Sequence, residues 1–117
     1  MIGYETYTIG ERDQILVMEV EGRLDTEASQ YLLDCVQAQI DRGMHDIILD
    51  CSNLEYISSM GLGTLVRANS RLRALSGSVA LVQVPGLVAD VIGIARLDKL
   101  LHIFSTVEEA ADSFKSN

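Results

Sequence analysis

The chain is predicted to fold as an α/β domain built on a mixed β-sheet. Three observations carry that expectation. Short apolar runs bounded by turn residues alternate with stretches whose apolar residues recur every three or four positions. The first two apolar runs follow one another directly, as in a hairpin, whereas each later run is separated from the next by a helical stretch, as in right-handed parallel crossovers. At 117 residues the chain has room for one core, large enough to fold without disulfides or metals, and no linker or repeat divides it.

Tyr4 to Ile9 alternates polar and apolar residues like a half-exposed strand. Gly10 to Gln14 turns the chain, and Ile15-Leu16-Val17-Met18 completes a hairpin. After Gly22, Asp25 and Thr26 offer N-caps to a helix with Ala28, Leu32, Val36 and Ile40 inward, ending near Gly43. Its outer face carries Glu27, Gln30, Asp34, Gln37 and Asp41.

Asp46-Ile47-Ile48-Leu49-Asp50 reads as a central strand covered on both faces. A loop then delivers the chain to Ser58-Ser59. From Met60 to about Leu75 a second helix turns Leu62, Leu65, Val66, Asn69 and Leu72 inward and Arg67, Ser70, Arg71 and Arg73 outward. Val79 to Val84 is another buried strand, stopped by Pro85-Gly86. Leu87 to Ala95 is a short helix with Val88, Val91, Ile92 and Ala95 inward, followed by a brief strand at His102-Ile103-Phe104. Thr106-Val107-Glu108-Glu109 matches a capping box and opens a last helix that buries Val107, Ala110, Ala111 and Phe114; Lys115-Ser116-Asn117 should fray.

Seventeen acidic residues against nine basic ones give a net charge of −8, which repels nucleic acid and anionic lipid and favours solubility or a basic partner. The apolar runs are too short to cross a bilayer and no basic segment leads an apolar one at the N-terminus, so no membrane association and a cytoplasmic location are expected. Cys35 and Cys51 lack the partners and spacing of a zinc site or disulfide framework and read as buried thiols.

Function is expected where strands end and helices begin. Tyr56-Ile57-Ser58-Ser59-Met60-Gly61-Leu62-Gly63 sets two hydroxyls at a helix start, where unpaired amides and the macrodipole favour negative charge, so an added phosphoryl group would be held there. Serine is also a preferred N-cap, which by itself accounts for Ser58 or Ser59. Catalysis finds little support: His45 and His102 stand beside strand ends without a patterned acid or nucleophile. Gly61 and Gly63 fit no nucleotide-binding spacing, and Asp25, Asp46 and Asp50 serve equally as caps or strand ends, so neither a cofactor nor a metal is expected.

Leu49-Asp50, the run from Tyr56 to Gly63, Gly22-Arg23-Leu24-Asp25 and Glu108-Glu109-Ala110 together resemble the STAS domain of bacterial anti-sigma factor antagonists over nearly the whole chain. The resemblance implies a single domain over residues 1–117, with a four- to five-stranded mixed sheet and about four helices packed mainly on one face. It implies no enzyme but a partner switch: the unphosphorylated antagonist binds an anti-sigma factor that is also a serine kinase, frees a sigma factor, and is released by phosphorylation, which a serine phosphatase would reverse. The usual corner in that family is Asp-Ser-Ser-Gly-Leu-Gly, which maps the acceptor to Ser59, with Ser58 the second candidate. Ser58 replaces the usual aspartate and Met60 the usual second serine.

The expected partner surface comprises Asp25, Ser58, Met60, Gly61, Leu62, Thr64 and Arg67. Exposed apolar residues such as Met60 leave a homodimer open. Two other readings share the fold: a constitutive scaffold or assembly subunit that is not phosphorylated, and a small-ligand sensor or enzyme using the glycines and Asp25.

Overall fold

A computed structural model describes residues 2–115. In chain order the elements are β1 (Ile2–Ile9), β2 (Ile15–Leu24), α1 (Thr26–Asp41), β3 (Asp46–Ile57), α2 (Ser59–Arg73), β4 (Ser78–Val82), α3 (Gly86–Ile94), β5 (His102–Phe104) and α4 (Val107–Lys115). The sheet runs β1-β2-β3-β4-β5, with β1 antiparallel to β2 and all later neighbours parallel. The expected mixed sheet is therefore present, with β3 at its centre. Of the three residues expected to fray, Lys115 instead closes α4, while Ser116 and Asn117 lie outside the described residues.

Alternation along β3 divides the core. Ile47 and Leu49 join Leu32, Leu62, Leu72 and Ile92 in a large cluster beneath α1, α2 and α3, while Ile48 joins Val17, Val82 and Ala110 in a smaller one beneath α4. Three helices thus cover one face and one covers the other. Both cysteines are buried and free, and burial pushes the Cys51 thiol up to about 12, so it stays protonated and inert.

Two expectations are corrected. The segment after Asp50 is not a loop: β3 continues to Ile57, paired with β2. Between Asp50 and Asn53 β3 advances three residues while β2 advances two, and a second slip follows at Arg23, so two bulges break the period-two pattern and Cys51, Leu54 and Ile57 become the buried set. In α3 only Val88 and Ile92 are buried, whereas Val91 and Ala95 are exposed with Leu87 and Ile94. A nine-residue helix needs only that one pair, four residues apart, to seat it on the sheet.

The ends of α1, α2 and α3 share one device. Gly43 (φ 93°), Ser76 (φ 65°) and Arg96 (φ 59°) take the left-handed conformation. The next amide, from Met44, Gly77 or Leu97, then donates back to Gln39, Leu72 or Ile92 at 2.8–3.0 Å. Only Gly43 announces this in the sequence.

Candidate functional site

Parallel pairing of Leu24 with Ile57 brings the ends of β2 and β3 together, and each strand passes directly into a helix. The starts of α1 and α2 therefore sit side by side. The Ser58 amide donates to the Leu24 carbonyl at 2.9 Å and ties the two strand ends across the corner. Asp25 caps α1, its Oδ1 accepting from the Ala28 amide at 2.9 Å, and Ser58 caps α2, its Oγ accepting from the Gly61 amide at 3.0 Å.

Capping separates the two serines. Ser58 is half-buried and its oxygen is engaged, whereas Ser59, the first helical residue, is exposed and its hydroxyl bonds to no other described residue. The amides of Ser59 and Met60 lie in the first turn, where no intrahelical partner exists. Met60 is 50% exposed, so the corner carries an apolar side chain next to a hydroxyl.

The remaining expected surface residues divide. Leu62 and Thr64 are 7% and 1% exposed and Gly61 is buried, so these three shape the corner from beneath rather than face a partner. Leu62 belongs to the stripe that faces the sheet, and Thr64 lies against α1, its hydroxyl 3.5 Å from the Ser29 carbonyl. Arg67 is exposed but roughly two turns along α2 from Ser59, about 12 Å of helix rise, with its guanidinium 3.5 Å from Thr64 Oγ1. It flanks the corner without belonging to it.

A residue pair that the sequence did not mark stands beneath the corner. Arg23 and Tyr56 are paired across β2 and β3, and the guanidinium lies 4.4 Å from the ring centroid. Tyr56 is 40% exposed. The pair gives an acidic chain a local cation beside its helix starts, and Arg23 also acts on Asp25.

The Asp25 carboxyl is held below its ordinary value of 3.8, chiefly by the Ala28 amide, with Arg23 adding to the effect. A depressed folded-state value stabilises the fold above the ordinary carboxylate range and is lost as pH falls through the folded value. Asp25→Asn keeps an acceptor but no charge. Its stability difference from the parent, followed by urea denaturation, is expected to be present at neutral pH and to shrink below about pH 4. A difference independent of pH would show that the charge contributes nothing.

A cleft of about 370 Å³ lies beside Asp25, lined by Ile2, Glu27, Ala28 and Tyr31. Among the described residues, no group of three or more His, Cys, Asp or Glu is placed to hold a metal ion, and no helix is long and apolar enough to cross a membrane. His45 is half-buried ahead of β3, and His102 is exposed at the start of β5.

Comparison with known proteins agrees with this architecture. The family model described as the STAS domain matches residues 7–110. BtrV of Bordetella bronchiseptica, provisionally named an anti-sigma factor antagonist, is 28% identical over 109 residues, covering 93% of this chain and 94% of that protein. A solved Thermotoga maritima protein of the same provisional name superposes with a TM-score of 0.87 at 23% identity, over 96% of this chain and 94% of the other. The anti-sigma factor antagonist SpoIIAA superposes in its unphosphorylated form with a TM-score of 0.79 at 21% identity, over 98% of both chains. Its phosphorylated form gives 0.70, also at 21% identity, over 95% of this chain and 98% of that one. With a matching family model over most of the chain, and the hairpin, parallel strands and paired helix starts all in place, the chain belongs to the STAS domain family.

Proposed function

We propose that the protein is an anti-sigma factor antagonist whose Ser58-Ser59-Met60 corner binds an anti-sigma factor with serine kinase activity, and that phosphorylation of Ser59 ends the binding. The observation that carries this reading is the division of labour at the corner. Ser58 performs the N-cap, leaving the adjacent Ser59 hydroxyl exposed and unbonded among the described residues. The family's usual aspartate at the Ser58 position is itself a good N-cap, so its replacement by serine keeps the cap and removes only a charge. Support also comes from relatives named for the same role, one of them solved with and without phosphate.

A phosphoryl group on Ser59 would meet the free first-turn amides and the positive helix end, so the modified corner needs no refolding. It would place roughly −1.5 to −2 charges at the centre of the contact. A partner shaped for Met60 and a neutral hydroxyl would then face both bulk and unpaired charge. A constitutive scaffold is the competing reading, favoured by Met60, whose half-exposed apolar chain occupies the position beside the acceptor.

Incubation with the cognate serine kinase followed by peptide mass spectrometry is expected to place phosphate on Ser59. Ser59→Asp should weaken partner binding by roughly tenfold while Ser59→Ala binds like the parent. Phosphate on another residue would overturn the assignment. Equal affinities for all three proteins would select the scaffold.

A further inference from the structure

At the opposite end of β3 and β4 from Ser59, a cleft of about 530 Å³ opens between the last turn of α2, the segment before β5, and α4. Its floor is Ser78, Val79 and Ala80 of β4. The sheet is incomplete here, because β5 begins its pairing only at Ala80. Asn69 bridges the gap: its Oδ1 accepts from the Val79 amide and its Nδ2 donates to the Leu100 carbonyl, each at 3.0 Å. The floor and one wall are therefore held in place before any ligand arrives.

The charge on this cleft is opposite to that of the molecule. The chain carries 17 acidic and nine basic residues, yet the described residues lining the cleft include Arg73 and Lys99 and not one Asp or Glu. Four other clefts each present at least two carboxylates: Asp25 and Glu27, Glu21 and Glu55, Glu5 and Glu19 (with Glu21), and Glu108 and Asp112. Neither Arg73 nor Lys99 is paired with a carboxylate among the described residues. Salt screens the net charge of −8 beyond about 8–10 Å, so a ligand at the cleft responds chiefly to the cations lining it.

Ser70 and Ser78 add hydroxyls, whereas the Ser113 hydroxyl is committed to the Ala110 carbonyl at 2.6 Å. Leu100, Phe104 and Phe114 supply an apolar wall. The volume is that of a small-molecule site, and an arginine and a lysine lining one cleft supply the donors and charge that a phosphate takes.

We infer that this cleft is a binding site for a small organic phosphate, with the phosphate on Arg73 and Lys99 and an apolar or aromatic body against Leu100, Phe104 and Phe114. The site is separate from the Ser59 corner, at the far end of α2.

Phenyl phosphate is a suitable probe, followed by amide chemical shifts in the full chain. Saturable shifts are expected at Ser78, Val79, Leu100 and His102. Exchanging Arg73 and Lys99 together for glutamine should weaken binding by about tenfold or more, the loss of charge-assisted hydrogen bonds. Both side chains are exposed, so the fold should persist, which circular dichroism checks. Arg12→Gln, a charge change on the hairpin turn, should leave affinity as it was. Inorganic phosphate should bind more weakly than phenyl phosphate. Shifts that do not saturate or that map elsewhere would overturn the site. Equal affinity for the Arg73/Lys99 double variant would overturn the role of the cations, and phosphate binding as tightly as phenyl phosphate would remove the apolar half of the ligand.

Discussion

Gly77→Ala is expected to cost about 3 kcal/mol of stability and to lower the melting temperature by roughly 10 °C. A Cβ on Gly77 would stand 1.9 Å from the His45 carbonyl oxygen and 2.6 Å from its carbon, both backbone atoms with no rotamer to adopt. The surrounding structure offers little give. The Ser78 amide donates to that same carbonyl at 3.1 Å, and β3 and β4 are locked in register from Asp46–Ser78 to Asp50–Val82. On the other side, the Gly77 amide closes the end of α2 by donating to Leu72 at 2.8 Å. Relief requires parting the two central strands or unwinding the last turn of α2, and either loses hydrogen bonds over a core in which Leu72 and Val79 are almost wholly buried. Urea denaturation of the purified variant measures the loss; a change under about 1 kcal/mol would mean the strands part more easily than their pairing implies.

Neither Gly77 nor the bulges of β3 announces its role in the amino-acid order, and both cases have the same cause. The hairpin, the helix faces of α1 and α2, β5 and the Thr106 cap are local: a period, a turn or a capping residue is written in consecutive positions. Thr106 does accept from the Glu109 amide at 3.1 Å, as its spacing to Glu109 suggested. The stretch from Cys51 to Ile57 is buried at three-residue intervals because its partner β2 advances more slowly, and that depends on a strand about thirty positions away. Gly77 is required by the carbonyl of His45, which no local pattern can signal.

The corner divides in the same way. That a helix starts at Ser58-Ser59 is legible from the apolar spacing that follows. Which serine caps is decided by the backbone, extended at Ser58 (φ −88°, ψ 170°) and helical from Ser59. Leu62 lies on the inward stripe that the apolar spacing already marks, so its burial follows from periodicity, whereas Thr64, a polar residue near the corner, is buried because the adjacent helix α1 covers it. Arg23 and Tyr56 are far apart in sequence and meet only because the bulged register pairs them.

Gly61→Ala tests whether the corner depends on close approach of α2 to the strand ends. The added Cβ would lie 2.9 Å from the Leu24 carbonyl oxygen, from Leu24 Cγ and from Ile57 Cγ1. That carbonyl already accepts from the Ser58 amide at 2.9 Å, and Leu24 and Ile57 are buried at 1% and 6% exposure, so the first turn of α2 must lift away from the sheet. Alanine returns about 1 kcal/mol of helix propensity, which leaves a net loss of about 2 kcal/mol. Gly63 supplies the contrast. It lies two residues further along α2 with open space where its Cβ would go, and Gly63→Ala should raise stability by up to about 1 kcal/mol. Amide shifts in Gly61→Ala should concentrate at Leu24, Ser58 and Ser59, and its affinity for the proposed anti-sigma partner should fall while that of Gly63→Ala holds. Equal stabilisation by both alanines would show that α2 can move off the strand ends without cost.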